Sequence, residues 1–204
     1  MIAIINYGSG NVGAIANIYK QLKVPHFIAS KAEELKTAGK YILPGVGHFD
    51  TTMEYMRRSG LQDALEENVL ARGRPLLGIC VGMQILANSS EEGRGAGLGW
   101  IPGRVLRIEQ RAAGVRLPHM GWNSVVVRND PLGVFRGVET ERGFYFLHSY
   151  YFQADAVTAI GAEVNYGSVF ACAVSNGKNI VGVQFHPEKS HHNGMTVFRN
   201  FAAL

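Results

Sequence analysis

Leu76-Leu77-Gly78-Ile79-Cys80-Val81-Gly82-Met83-Gln84-Ile85-Leu86 runs from a short apolar segment, through a glycine-flanked cysteine, into residues suited to a helix. That is the form of a nucleophile elbow, with sulfur replacing the usual serine oxygen. A strand that turns sharply into a helix strains its central residue, and flanking glycines give the neighbouring chain room. The strained side chain then projects beyond the sheet edge. The first N–H groups of the helix point at it, and their partial positive charge suits an anion. A free cysteine is also often a small buried apolar residue, so Gly78 to Gly82 alone leaves nucleophile and core cysteine both open.

Upstream of the elbow, strand-like and helix-like patterns alternate. Ile2 to Ile5 is a continuous apolar run, as in a strand buried on both faces. A helical stretch follows, with Ile15, Ile18, Tyr19 and Leu22 on one face. His26 to Ala29 and Lys40 to Leu43 read as the next strands, with KAEELK between them as a solvated helix. A helical region follows through Met53, Met56, Leu61, Leu65 and Leu70, closed by Arg72-Gly73-Arg74-Pro75. This order predicts an α/β fold with a parallel sheet and helices on both faces. Functional groups in such sheets lie beyond the carboxyl ends of the strands, where Cys80 and Pro44-Gly45-Val46-Gly47 fall. Gly8, Gly10 and Gly13 fit G-x-G-x-x-G after the first strand. The second strand ends at Ser30 without the acidic residue that a dinucleotide site wants, so a Gly-rich surface loop is the preferred reading.

Downstream the texture changes. Glu91 to Gly103 reads as loop, followed by six antiparallel-type strands at Val105 to Ile108, Asn123 to Val127, Phe144 to Phe152, Val157 to Ile160, Val169 to Val174 and Ile180 to Phe185. Met195 to Leu204 reads as a closing helix. The break near residue 90 is too weakly marked for a domain boundary, so the expectation is a mixed sheet in one domain. At 204 residues the chain is long enough for one sizeable core. A charge of +4 spread along the chain describes a solvated surface rather than a nucleic-acid footprint. The opening MIAIINYGSGN lacks a basic n-region and is not read as a signal peptide. Two cysteines make neither a disulfide framework nor a four-cysteine metal site, which fits a reducing cytoplasm.

A cysteine nucleophile needs a base and a group to orient that base. Of seven histidines, His186 stands out because it follows the apolar run Ile180 to Phe185. Pro187 biases His186 toward an extended backbone, in which Glu188 faces the same side. Glu188 then holds the imidazole by triad logic. An ordinary histidine and glutamate at a strand-to-loop corner is the bland alternative.

Taken together, Gly78 to Gln84 (GICVGMQ), Pro44 to Gly47 (PGVG) and Phe185 to Ser190 (FHPEKS) resemble the class I (triad) glutamine amidotransferase family. RLPHMGWN at 116–123 and FLHSY at 146–150 extend the resemblance, in particular to glutaminase subunits of imidazole glycerol phosphate synthase. The family implies a flavodoxin-like class I amidotransferase fold. Its central, mostly parallel mixed sheet is flanked by helices, with additional antiparallel strands, in one domain spanning 1–204. It implies Cys80 as nucleophile, His186 as base and Glu188 as its orienter, with the N–H groups of Val81 and Val46 as oxyanion donors. Gln84, Gly47 and the His148-Ser149-Tyr150 backbone would bind glutamine, with a packed strand histidine as the alternative for His148. No cofactor or metal is implied. The implied partner is a (βα)8-barrel cyclase bound as a heterodimer, which receives the ammonia and makes imidazole glycerol phosphate and aminoimidazole carboxamide ribonucleotide. Trp122, Asn11 and Lys189 would face that partner, a core tryptophan being the alternative for Trp122.

Two residues depart from the usual pattern. Val81 stands where leucine is usual, which leaves the N–H in place. The doubled His191-His192 after Lys189-Ser190 resembles a branch in surface-polysaccharide gene clusters, whose ammonia serves amidation of a sugar. A catalytically idle subunit of the same fold is the competing reading from another class, and a nucleotide-binding oxidoreductase built on Gly8, Gly10 and Gly13 comes last.

Overall fold

The computed structural model of the chain describes residues 1–109 and 115–204. Its first half alternates β1 (Ile2–Ile5), α1 (Val12–Gln21), β2 (His26–Ala29), β3 (Lys40–Gly45), α2 (Phe49–Ser59), α3 (Gln62–Glu66), β4 (Leu76–Cys80) and α4 (Val81–Gln84). Short strands follow: β5 (Ser89–Ser90), β6 (Gly103–Arg107), β7 (His119–Asn123), β8 (Val126–Val127), β9 (Phe144–His148) and β10 (Tyr150–Ala154). The chain closes with β11 (Ile160–Asn165), β12 (Val169–Ser175), β13 (Ile180–Val183) and α5 (His191–Ala203).

One eight-stranded sheet has the order β2-β1-β3-β4-β13-β12-β11-β8. Its strands are parallel from β2 to β13 and antiparallel from there to β8. β1, β4 and β13 are buried along their whole length, as their unbroken apolar runs require. α1 and α5 pack together through Tyr19 and Phe198, edge to face at 5.3 Å. The chain steps out from β1 to β2 and then back past it to β3, so the strand order reverses beside β1. Ligand crevices open at such reversals, beyond the strands' carboxyl ends. No helix of the described residues is long and apolar enough to cross a membrane.

Several sequence expectations need correcting. Phe144 to Phe152 is not one strand. It breaks at Ser149, so that β9 pairs with β7 while β10 pairs with β6. An alternating pattern does not reveal that one run serves two sheets. Asn123 to Val127 is likewise divided, because Asn123 ends β7 and only Val126 and Val127 join the large sheet. Val157–Ala159 is a 3-10 turn ahead of β11, and KAEELK falls in a 3-10 helix, Ala32–Thr37. Helix α5 starts at His191, earlier than Met195, because Gly194 lets it press on the preceding turn. A Cβ at Gly194 would lie 1.8 Å from the Pro187 carbonyl oxygen.

Close packing also marks the elbow. A Cβ on Gly82 would sit 1.9 Å from the Leu43 carbonyl oxygen, and one on Gly45 would sit 2.4 Å from the Gly82 nitrogen. β3 and the first turn after β4 therefore touch backbone to backbone. Overpacking a filled interior costs about 1–3 kcal/mol and sometimes more. Gly82→Ala is therefore expected to lower the thermal midpoint sharply. Gly13→Ala, in α1 with nothing within 4 Å of the added methyl, is expected to stabilise by about 0.5–1 kcal/mol. Thermal unfolding of the two variants checks both signs.

Candidate active site

β4 and β13 are parallel neighbours, with Ile79 opposite Val183. The residues just beyond the two strand ends therefore emerge side by side. Cys80 ends β4 at φ 55°, ψ −115°, a left-sided backbone held by the close packing of the elbow. His186 and Cys80 border the same cavity, and His186 Nδ1 lies 2.8 Å from Glu188 Oε1. Glu188 reaches the ring through a 3-10 turn, Pro187–Lys189, and not through the extended segment expected from sequence. Its Oε2 is buried and has no hydrogen-bond partner among the described residues. Burial alone pushes the His186 imidazole down. Its interactions with Cys80 and Glu188 outweigh that and lift it to about 10. Below that pH the ring is an imidazolium beside the sulfur.

A cavity of about 180 Å³ opens beside Cys80, bordered by Val46, Gly47, Val81, Gln84, His148, Ser149, Tyr150, Glu92 and Leu147. All seven residues expected to serve glutamine or the oxyanion therefore border one space. Val81 N–H belongs to α4, which is a single helical turn. The Val46 N–H donates to Ser9 Oγ at 2.9 Å, and the Ser9 hydroxyl donates back to the Val46 carbonyl at 2.9 Å. Tyr7 Oη, buried in the same loop, donates to the Pro44 carbonyl. The loop read as a glycine-rich surface feature is thus packed on the end of β3. At Gly10, φ is +93°, and a Cβ would meet Pro44 at 2.5 Å.

His148 borders the cavity, but both its ring nitrogens are engaged elsewhere, with the Tyr150 carbonyl and with His119. Burial pushes His148 down to about 3 and His119 to about 4, so both are neutral at pH 7. Trp122 is 48% exposed, which rules out the core alternative, and it stacks on His191 with ring centroids 5.3 Å apart. Asn11 caps α1 by accepting the Ala14 N–H. Lys189 is exposed, with Nζ 5.5 Å from the Tyr145 ring centre.

Residues 3–203 match the family described as Glutamine amidotransferase class-I. The chain belongs to that family. Among curated proteins, this amidotransferase is 50% identical to an imidazole glycerol phosphate synthase subunit HisH of Bdellovibrio bacteriovorus, over the full length of both chains. It is 47% identical to the HisH subunit of Leptospira interrogans, again over both full lengths. Among solved structures it resembles PurLQS from Thermotoga maritima in fold, with a TM-score of 0.74 at 17% identity over 99% of this chain and 97% of that one.

Sequence reading missed two residues of this amidotransferase site. Glu92 lies in the Gly-rich stretch and carries no motif, so nothing in the sequence marked it. Gln184 is fully buried, with its Nε2 3.7 Å from Cys80 Sγ. One polar residue inside the apolar run Ile180 to Phe185 was the signal for it. The electrostatics of the pair are open to NMR titration. The His186 ring is expected to titrate near 10 in the native enzyme. In Cys80→Ala, which removes the sulfur's interaction with the ring, it should titrate well below that value.

Proposed function

We infer that this chain is the glutaminase subunit of an imidazole glycerol phosphate synthase, working in the cytoplasm as one amidotransferase domain over residues 1–204. The observation that carries this reading is the line Cys80–His186–Glu188 at the edge of an open cavity. Cys80 Sγ attacks the side-chain amide carbon of glutamine, and the imidazolium of His186 passes a proton to the departing ammonia. Water, activated by the now neutral His186, hydrolyses the thioester to glutamate. Glu188 keeps the Nδ1 proton of His186 in place throughout. Glu92, whose Oε2 accepts the Phe49 N–H at 2.8 Å, sets a carboxylate at the rim to receive the α-ammonium group of glutamine. Gly47 and the 148–150 backbone take its amino-acid end.

The tetrahedral oxyanion needs two donors where charge develops. Val81 N–H supplies one. Val46 N–H supplies the other after its peptide turns away from Ser9, and Tyr7 holds Pro44 so that the turn occurs beyond it. The free chain is therefore slow. Ser9→Ala, which removes the competing acceptor, should raise glutamate release by the free chain by roughly fivefold, the worth of one ordinary hydrogen bond. Unchanged or lower turnover in that variant counts against the latch.

The partner in this reading is a (βα)8-barrel cyclase of the HisF type, docked over the cavity mouth. Val46, Met120, Trp122 and Leu147 are all exposed, and Val46 and Leu147 border the cavity itself. Met120 and Leu147 are cross-strand neighbours on β7 and β9, which continues the apolar strip toward the Trp122–His191 stack. Asn11 and Lys189 edge the same end. Direct transfer has a chemical motive, since ammonia released to water at pH 7 is mostly ammonium and not nucleophilic. Glutamate release should rise steeply with such a cyclase and its ribonucleotide, and Cys80→Ala should abolish it. Flat turnover with that cyclase, while Cys80 still reacts with a glutamine-like electrophile, would favour a sugar-amidating partner instead.

A further inference from the structure

A branched line of hydrogen bonds runs from Cys80 to β7, and a backbone carbonyl fixes its direction. The Tyr150 oxygen only accepts, and it faces His148 Nδ1 at 2.8 Å and Gln84 Nε2 at 3.0 Å. His148 therefore carries its proton on Nδ1. In a neutral ring its Nε2 must then accept, which it does from His119 Nδ1 at 2.9 Å. His119 Nε2 accepts in turn from Asn123 Nδ2 at 3.3 Å. Every group on this arm has one consistent role, which requires both rings to be neutral.

The other arm leads to the nucleophile. Gln84 gives its second amide hydrogen to Gln184 Oε1 at 3.0 Å. With its oxygen so engaged, Gln184 must present its NH2 to Cys80 Sγ, 3.7 Å away. An amide NH2 only donates. We propose that Gln184 is a catalytic hydrogen-bond donor to the Cys80 sulfur, and that Gln84, Tyr150 and His148 are positioning residues that fix the direction of that donation. The assignment rests on the reading of Cys80 as nucleophile.

Three chemical consequences follow. Gln184 cannot take the sulfur's proton, so the proton that His186 carries as imidazolium is the one the sulfur has given up. The donor is also already in place when the sulfur becomes negative, both as attacking thiolate and as the leaving group of the thioester, so no reorganisation accompanies either step. Gln84 keeps only its Oε1 for substrate, because both amide hydrogens are committed.

Steady-state glutamate release under conditions that give wild-type turnover tests the proposal. Gln184→Met fills similar space without an N–H. Loss of a donor to a charged atom should lower kcat by about 10- to 100-fold, with KM for glutamine within about twofold. His148→Asn keeps a donor in the Nδ1 position and should retain most of kcat, whereas His148→Phe should lose it. A Gln184→Met enzyme with kcat within twofold of wild type overturns the proposal, as does a loss confined to KM. Should Gln184→Met fail to fold, the His148 pair decides, and equal kcat in the two variants overturns it. Cys80→Ala separates the two layers. Glutamate release by that variant would remove the nucleophile reading itself, whereas an inactive Cys80→Ala beside an unimpaired Gln184→Met removes only the donor.

Discussion

The site depends on a backbone contact in which no side chain takes part. β3 and the turn after β4 approach so closely that the Leu43 carbonyl occupies the space where a Gly82 side chain would be. The same approach brings Val46 and Val81 to the cavity that Cys80 borders. It also leaves Cys80 no relaxed backbone conformation, and φ of 55° is the result. Strain of that kind costs about 1–3 kcal/mol and persists only where the surroundings over-determine it. Here the surroundings are the core strands themselves, buried along their length on both sides of the elbow.

Around the elbow, burial divides the histidines into two electrostatic classes. His186 sits beside a sulfur and a carboxylate, and its interactions with them outweigh its desolvation, so it is held protonated. His119 and His148 have only neutral donors and acceptors, and burial holds them neutral. The aromatic rings of Phe146 and Tyr166 stack on His119 at 4.6 and 4.1 Å, which completes its apolar setting. One imidazole is thereby fitted for proton transfer while two others serve as fixed hydrogen-bond connectors. The second cysteine provides a contrast. Cys172 is fully buried in β12, and burial pushes its thiol up, away from reactivity.

Much of this was legible in the sequence because local rules and fold agreed. Unbroken apolar runs marked β1, β4 and β13, and glycines spaced about Cys80 marked the elbow. The resemblance to the amidotransferases added the pairing of distant motifs, which periodicity cannot supply. What stayed hidden is mostly tertiary. Nothing local distinguishes Ser149 from its neighbours, yet the run breaks there so that two sheets can share it. Ser9 reads as one residue of a Gly-rich surface loop, although its hydroxyl holds Val46 by both N–H and C=O. Gln184 was visible as a polar intruder in an apolar strand, but its partner Gln84 lies a hundred residues away.

The most direct test of the account is covalent trapping with a diazoketone analogue of glutamine, followed by peptide mass mapping. The account predicts one adduct, on Cys80, none on Cys172, and a matching loss of glutamate release. Label on Cys172, or an enzyme that still releases glutamate with Cys80 fully modified, would contradict it.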